Sequence, residues 1–462
     1  MKTGILTLNE GSVFKNASLW SHDPSMMWDP VTEKYYSYST DVYQPEDGLT
    51  EKIGIPVRSS KDLIHFEYEG IALSQKAIKE GRDNGEYPQT VNFWAPYVEY
   101  THGEYRMYYS ATKAFGSSES RIWLAVSKHP LGPFENRGIV ADTWGTDDTA
   151  PNAIDAHIIW DNERCYLVYG SFFGGIYIKE LDATSGLSLS NDAKELGNCI
   201  SRKAKKSLID GPEGASVIYA PETGYFYLFQ SYGWLGDTYD IRVGRSRCVT
   251  GPYLDWHGNS LVEEGMGIKL AGSYQFEAVN PRVGKAKKDW KWGGFRGPGH
   301  GVPFYDPQSE HYYFVHHVRD GAKVNRIYEE AEDRDSYQIH YMMIRPMFFI
   351  NDWPVFGAEP YQGENFEPVS KPDMEKLQGD WELIIFDEFD NNMKQSKVCT
   401  LDKESEYFQN GIIYSCCDIE NQKKGYVLAG IDNLGLAYWG KFVVQYTLDQ
   451  SKGILKIRGI YF

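Results

Sequence analysis

Short apolar and aromatic runs alternate with polar turns along most of the chain, and the clearest example is SHDPSMMWDPVTEKYYSYS, residues 21–39. An apolar strand, a turn through Asp29, Pro30 and Glu33, and a tyrosine-rich return strand predict a β-hairpin. The pattern recurs four times, as APYVEYTHGEYRMYYS from Ala95, DAHIIWDNERCYLVYGS from Asp155, EGASVIYAPETGYFYLFQS from Glu213 and HGVPFYDPQSEHYYFVHH from His300. Each opening residue stands ten to twelve positions before the first tyrosine of its return strand. One repeat position is therefore filled in turn by Asp23, Ala95, Asp155, Glu213 and His300. Self-similarity at this spacing marks a repeat architecture.

Further strand pairs are expected after the hairpins, at 53–70, 121–138, 174–190 and 240–255, so each unit supplies about four strands. Several inner strands are continuously apolar rather than alternating, as expected of strands covered on both faces. Five such units predict a five-bladed β-propeller over residues 1–360. The Gly-rich basic segment 272–298 reads as a loop before the fifth unit. A linker over 361–377 contains a short expected helix at 371–377. From 378 to 462 successive short strands (WELIIF, KVCTL, GIIYSCC, GYVLAGI, LAYWGKFVVQY, GILKIRGIYF) predict a small antiparallel β-barrel or sandwich domain.

Composition sharpens this picture. The 462 residues are 15% aromatic, with 34 Tyr and 13 Trp, which favours an all-β protein. A net charge of −17 argues against nucleic acid or an anionic membrane surface as partner, and no apolar run is long enough to span a bilayer. The six cysteines (Cys165, Cys199, Cys248, Cys399, Cys416, Cys417) show no CxxC spacing, sit mostly in strand-like apolar runs and read as buried free thiols, which favours a reducing compartment. The first residues hold one lysine and a four-residue apolar patch, too short for a secretory signal. A cytoplasmic protein, or a secreted one whose signal has been removed, is the expectation, and a monomer in either case.

In a propeller the starts of the innermost strands meet at one end of a central channel. Asp23, Asp155, Glu213 and His300 should thus share one cavity. Taken singly, each carboxylate reads as a turn cap; their coincidence at one repeat position reads as a site, because clustered carboxylates are costly to desolvate. Two suffice for glycoside hydrolysis, one protonated to serve the leaving oxygen and one ionised to activate water or attack carbon. A third keeps the acid protonated by like-charge repulsion. His300 could lie beside an oxygen-ligated cation held mostly by water, unlike a tetrahedral zinc centre. Trp94 offers an aromatic wall for the C–H face of a sugar, and Asn152 and Ser171 offer hydrogen bonds to its hydroxyls. His22, His157, His316 and His317 read as structural.

The motifs SHDPS (21–25), FWAP (93–96), NAIDAH (152–157), YGSFFGG (169–175), EGASVIY (213–219), GPGHG (297–301) and IRPMFFINDWPV (344–355) resemble glycoside hydrolase family 43. Within that family they are similar to endo-α-1,5-L-arabinanases that carry a C-terminal domain, and GLAYWGK near the chain's end resembles that domain. The resemblance implies an inverting mechanism on arabinan, a plant cell-wall polysaccharide. It matches Asp23 to the general base, Glu213 to the general acid and Asp155 to the residue that orients the acid and modulates its pKa. His300 matches a channel histidine beside a bound calcium or similar ion. Two other readings stand beside it: an exo-acting arabinofuranosidase or β-xylosidase of the same family, and a non-catalytic carbohydrate-binding propeller.

Overall fold

The computed structural model describes residues 21–41, 54–82, 93–190, 192–276, 294–320, 340–364, 377–387, 389–418, 423–442, 445–449 and 454–458. The protein is all-β. The first sheet is β1 (Ser25–Asp29), β2 (Lys34–Tyr38), β3 (Pro56–Ser60) and β4 (Phe66–Ile71), paired in that order. The second is β5 (Phe93–Thr101), β6 (Glu104–Thr112), β7 (Ser120–Ser127) and β8 (Glu135–Asp142). The third is β9 (His157–Asp161), β10 (Arg164–Tyr169), β11 (Ile176–Leu181) and β12 (Asn198–Ser201). The fourth is β13 (Glu213–Ala220), β14 (Tyr225–Tyr232), β15 (Asp240–Ser246) and β16 (Ile268–Ala271). The fifth runs β21-β20-β19-β18-β17-β23, where β17 is Tyr274–Gln275, β18 Phe295–Asp306, β19 His311–Asp320, β20 Tyr341–Ile350, β21 Trp353–Phe356 and β23 Lys394–Gln395.

All five expected hairpins are present; four lead their sheets, and in the fifth β17 and β23 extend the sheet beyond β18. In two of them the turn aspartate has the same double role. Asp29 caps its own turn by accepting the Val31 and Thr32 amides, and it also accepts the Tyr105 hydroxyl of the second sheet at 2.8 Å. Asp306 does the same in the fifth sheet, capping its turn and accepting the Tyr35 hydroxyl at 2.9 Å. At these two junctions the turn aspartate and the first tyrosine of the next return strand are halves of one inter-sheet bond.

Two outer strands differ from expectation. Within 187–190 the backbone joins β11 through a lone Leu181–Ser188 bridge, and the outer strand is Asn198–Ser201. The Asp182 turn curls that segment back on itself through the Leu187 carbonyl. Likewise Leu254 makes lone bridges to Arg245 and Ser260, because Pro252 has no N–H for a continued ladder; β16 takes the outer place. Segment 272–298, expected as a loop, contains β17 and the start of β18, while its middle lies outside the described residues. The expected helix at 371–377 also lies outside them, apart from Leu377. A helix that the pattern did not suggest, Gln75–Arg82, buries Ala77, Ile78 and Gly81 on one face.

Beyond residue 378, β22 (Gly379–Ile385), β24 (Lys397–Leu401), β25 (Gly411–Asp418), β26 (Lys423–Ile431) and β27 (Ala437–Phe442) form a sheet ordered β24-β22-β27-β26-β25. A separate pair, β28 (Gln445–Asp449) and β29 (Ile454–Arg458), follows. This region shares a hydrophobic core with the fifth sheet. Trp439 packs edge-on against Tyr274 at 4.9 Å, and its indole N–H donates to the Phe356 carbonyl at 2.9 Å.

Candidate active site

At the start of each inner strand one residue leaves the extended conformation. Asp23 (φ 49°), Ala95 (39°), Asp155 (64°) and His300 (38°) are all left-handed, a conformation non-glycine residues hold only when the surroundings enforce it. In the fourth sheet the left-handed residue is Gly214 (57°). Glu213 therefore stands one position earlier than its proposed equivalents, level with Trp94 and Gly299: these three oppose Ser231, Ser110 and His317 in their ladders. The shared repeat position inferred for Glu213 is thus corrected by one residue.

Each left-handed backbone N–H is satisfied by a side chain of the preceding sheet. His317 Nδ1 accepts from Asp23 (3.1 Å), Thr40 Oγ1 from Ala95 (2.8 Å), Ser110 Oγ from Asp155 (3.1 Å) and Ser231 Oγ from His300 (2.9 Å). Thr40, Ser110, Ser231 and His317 all lie at the ends of the second strands. In the third sheet that place is taken by Gly170, which has no side chain, and the carboxylate of Asp155 accepts the Gly214 N–H instead, at 3.0 Å. These bonds link the five sheets in cyclic order, the fifth to the first, around one cluster of acids and imidazoles.

Within the cluster Asp23 is surrounded by donors. Thr40 Oγ1 (2.6 Å) and His22 Nδ1 (3.0 Å) reach Oδ2, while His300 Nδ1 lies 3.2 Å from Oδ1. Burial pushes its carboxyl up, but the charges of His22 and His300 and the imidazole hydrogen bonds outweigh this and hold it well below the usual range. Asp155 goes the other way: burial, then the negative charges of Glu213 and Asp23, raise it well above the usual value. Glu213 is pushed up to about 7 by burial, partly offset by hydrogen bonds from Tyr239 and from Ser171, whose hydroxyl donates to Oε2 at 2.9 Å.

The other expected residues are placed unevenly. Trp94 is partly buried and meets Phe115 edge-on at 6.4 Å, with Phe115 largely exposed. The Ser171 hydroxyl, expected to serve a ligand, gives its hydrogen to Glu213. Asn152 is buried and its side-chain oxygen has no partner among the described residues. His157 is structural as expected: its Nε2 pairs with the Val217 carbonyl and its ring meets Tyr97 edge-on. His316 is likewise buried, with Nδ1 on the His317 carbonyl. His22 and His317, expected to be structural, instead contact Asp23 directly and pack with His340, which sequence reasoning had not singled out. Tyr239 was also missed, because it precedes a third strand rather than an inner one. Ser110, Ser231 and His317 had a legible signal, since each closes a quoted repeat, whereas Thr40 lies one residue past the end of the first.

His22, Asp23 and His317 are close enough to share a cation. Their facing atoms are already hydrogen-bonded to one another, however: the Nδ1 of His317 takes the Asp23 amide and that of His22 donates to the carboxylate. His300 fits a cation better. With ionised Asp23 beside Nδ1, the ring proton belongs there, leaving the Nε2 lone pair without a protein partner among the described residues. An imidazole oriented by a carboxylate on its other nitrogen is the usual arrangement of a metal ligand.

One carboxyl held below its usual range and two raised above it, within one cluster, is the kind of divergence that acid–base chemistry on a substrate needs. The chain belongs to glycosyl hydrolases family 43, whose model matches residues 17–354. It is 30% identical over 416 residues to an extracellular endo-α-(1→5)-L-arabinanase of Thermotoga petrophila, covering 83% of this chain and 79% of the relative. It is 28% identical to extracellular endo-α-(1→5)-L-arabinanase 2 of Bacillus subtilis, over 96% of this chain and 90% of that one. An extracellular exo-α-(1→5)-L-arabinofuranosidase of Cellvibrio japonicus is 31% identical over 54% of this chain and 71% of its own. The crystal structure of the Thermotoga petrophila RKU-1 endo-1,5-α-L-arabinanase superposes with a TM-score of 0.72 at 26% identity, covering 92% of this chain and 98% of that one.

Proposed function

We propose that this glycoside hydrolase cleaves internal α-1,5-L-arabinofuranosidic bonds of arabinan with inversion, Glu213 acting as general acid, Asp23 as general base and Asp155 as the modulator of Glu213. The observation that carries the reading is the opposite displacement of two acids in one cavity, Asp23 downward and Glu213 upward. Glu213 donates its proton to the glycosidic oxygen as the C1–O bond breaks. Asp23 accepts a proton from the water that attacks C1 from the opposite face, so the product hemiacetal has the inverted configuration. An inverting pair leaves room for that water at a carboxyl separation of about 6.5–9.5 Å. Thr40 and His22 both donate to Oδ2, so Oδ1, which also faces His300 Nδ1 at 3.2 Å, is the oxygen proposed to take the incoming proton on its remaining lone pair.

The five sheets in cyclic order support a five-bladed β-propeller over 1–360, followed by a linker (361–377) and a C-terminal domain (378–462). Trp94 and Asn152 are proposed to contact the sugar, with Ser171 offering it the lone pairs not used on Glu213. A calcium or similar ion would be held by His300 and water; when bound, it supplies positive charge beside the acids. The relatives named extracellular support secretion, and a monomer remains the reading.

Exo action is the second reading, supported by the likeness to the Cellvibrio japonicus enzyme. Product sizing from debranched arabinan separates the two: oligosaccharides for endo cleavage, monosaccharide alone for exo. Replacing Glu213→Gln should abolish hydrolysis of linear arabinan, and undiminished turnover would overturn the assignment.

A further inference from the structure

The loop between β14 and β15 leaves the end of β14 that carries Ser231, the cross-strand partner of Glu213. Trp234 therefore lies three residues beyond the ladder position of the acid, about 11 Å of chain at full extension. The loop is fixed on several sides. Its Gly233 amide donates to the Asp210 carbonyl at 2.7 Å, and the Trp234 amide donates to Thr238 Oγ1 at 3.0 Å. The Ser273 hydroxyl donates to the Asp237 carbonyl, and a Cβ added at Gly297 would stand 2.2 Å from the Gly236 carbonyl oxygen. The indole lies against Gly236, where a Cβ would come within 2.2 Å of it, yet 46% of Trp234 is exposed. A tryptophan held in place with nearly half its surface in water is a preformed contact for a ligand.

The C-terminal region meets this loop. A Cβ added at Gly233 would stand 3.2 Å from Asn391 Nδ2. Lys269 Nζ of the fourth sheet donates to the Asp390 carbonyl at 2.6 Å, the Lys394 amide donates to the Ser273 carbonyl at 2.8 Å, and β23 pairs in parallel with β17. Two residues before Asn391 stands Phe389, 75% exposed, its amide capped by Asp387 Oδ1 at 2.8 Å. Two exposed rings and a side-chain amide are thus gathered where the C-terminal region touches the sheet of Glu213.

We propose that Trp234 and Phe389 form an outer subsite for arabinan at this seam, continuous with the catalytic cluster. The rings take the apolar C–H faces of arabinofuranose units, and Asn391 pairs with a hydroxyl. A neutral polyhydroxylated chain suits a protein of net charge −17, which repels anionic polymers. The proposal rests on the reading of arabinan as substrate, and it gives the C-terminal region a part in binding it.

The test is kcat/KM on arabino-oligosaccharides of increasing length, from the trisaccharide to debranched arabinan. In the wild-type protein it should rise with length as the outer subsite fills. Trp234→Ala and Phe389→Ala should each flatten that rise, costing about tenfold on arabinan, chiefly through KM, and less than about twofold on the trisaccharide. Trp234→Phe should keep most of it. Both side chains are exposed, so the melting temperature should stay within about 2 °C. A loss equal at every length, or no loss at any length in either variant, would overturn the proposal. Calorimetric titration of arabinan onto Glu213→Gln, with and without Trp234→Ala, separates the two readings. Equal affinity removes this inference and leaves the function standing; full turnover by Glu213→Gln removes the catalytic assignment, while weaker binding with Trp234→Ala still supports the subsite.

Discussion

The carboxylate of Asp155 accepts the backbone N–H of Gly214 at 3.0 Å, binding the third sheet to the residue beside Glu213. In the other sheets the corresponding acceptor is a neutral hydroxyl or imidazole from a second strand. Here Gly170 offers none, so one acid both closes the ring of sheets and sets a second titratable carboxyl beside Glu213. Structure and electrostatics are coupled at that bond.

Activity should follow the protonation of Glu213. With its carboxyl pushed up to about 7, the protonated fraction, and with it kcat/KM, falls as pH rises through about 7. Asp155 and Glu213 oppose each other's ionisation, and Asp155→Asn removes that opposition while keeping an acceptor for Gly214. Glu213 then releases its proton more easily, so the alkaline limb should move to lower pH. A pH–rate profile that is unchanged or moves upward would contradict this coupling.

Asp155→Ala removes the acceptor as well as the charge. The buried Gly214 N–H is left unpaired, at a cost of about 1–3 kcal/mol beyond that of Asp155→Asn. Thermal unfolding of the two variants side by side reads the difference.

Ser110→Ala and Ser231→Ala each orphan one left-handed amide, those of Asp155 and His300. Each should cost about 1–3 kcal/mol. Lying on different sheets, the two losses should nearly add in the double variant. Denaturant unfolding with an unchanged midpoint in either single variant would show that its amide finds another acceptor.

Gly214→Ala faces two obstacles. The residue is at φ +57°, and a Cβ would stand 2.9 Å from the His300 ring. Strain of about 1–3 kcal/mol and a displaced imidazole should lower turnover at least tenfold. A crystal structure of the variant with His300 unmoved, together with full activity, would refute the prediction.

If His300 holds a cation, calcium should raise the melting temperature of the wild-type protein. At a hundredfold excess over Kd the stabilisation is about 2.7 kcal/mol. His300→Ala should lose that response, and chelator should lower wild-type activity. A calcium-dependent shift that survives in His300→Ala would place the ion elsewhere.

Much of the architecture was legible in the chain, because hairpins are local: the Asp-Pro turns and tyrosine return strands encode their own pairing within about twenty residues. The same periodicity marked Asp23, Asp155, Glu213 and His300, although the offset of Glu213 was hidden. A sequence count cannot see which residue absorbs the left-handed turn, and in the fourth sheet a glycine takes that strain. The free thiols illustrate a similar limit. Cys165 is buried as expected, but Cys248 is exposed, since strand-like sequence does not say which face meets solvent.

What the sequence determined by itself is the set of units, their order and the chemical types at their openings, all written in short-range patterns. What only the tertiary structure decided is which groups meet: His22 and His317 on Asp23, Ser171 and Tyr239 on Glu213, Asp155 on Gly214. Those contacts join segments far apart in the chain, and they set the charge on each acid. Protonation depends on burial and on neighbours within a few ångströms, which become neighbours only when the sheets close around them.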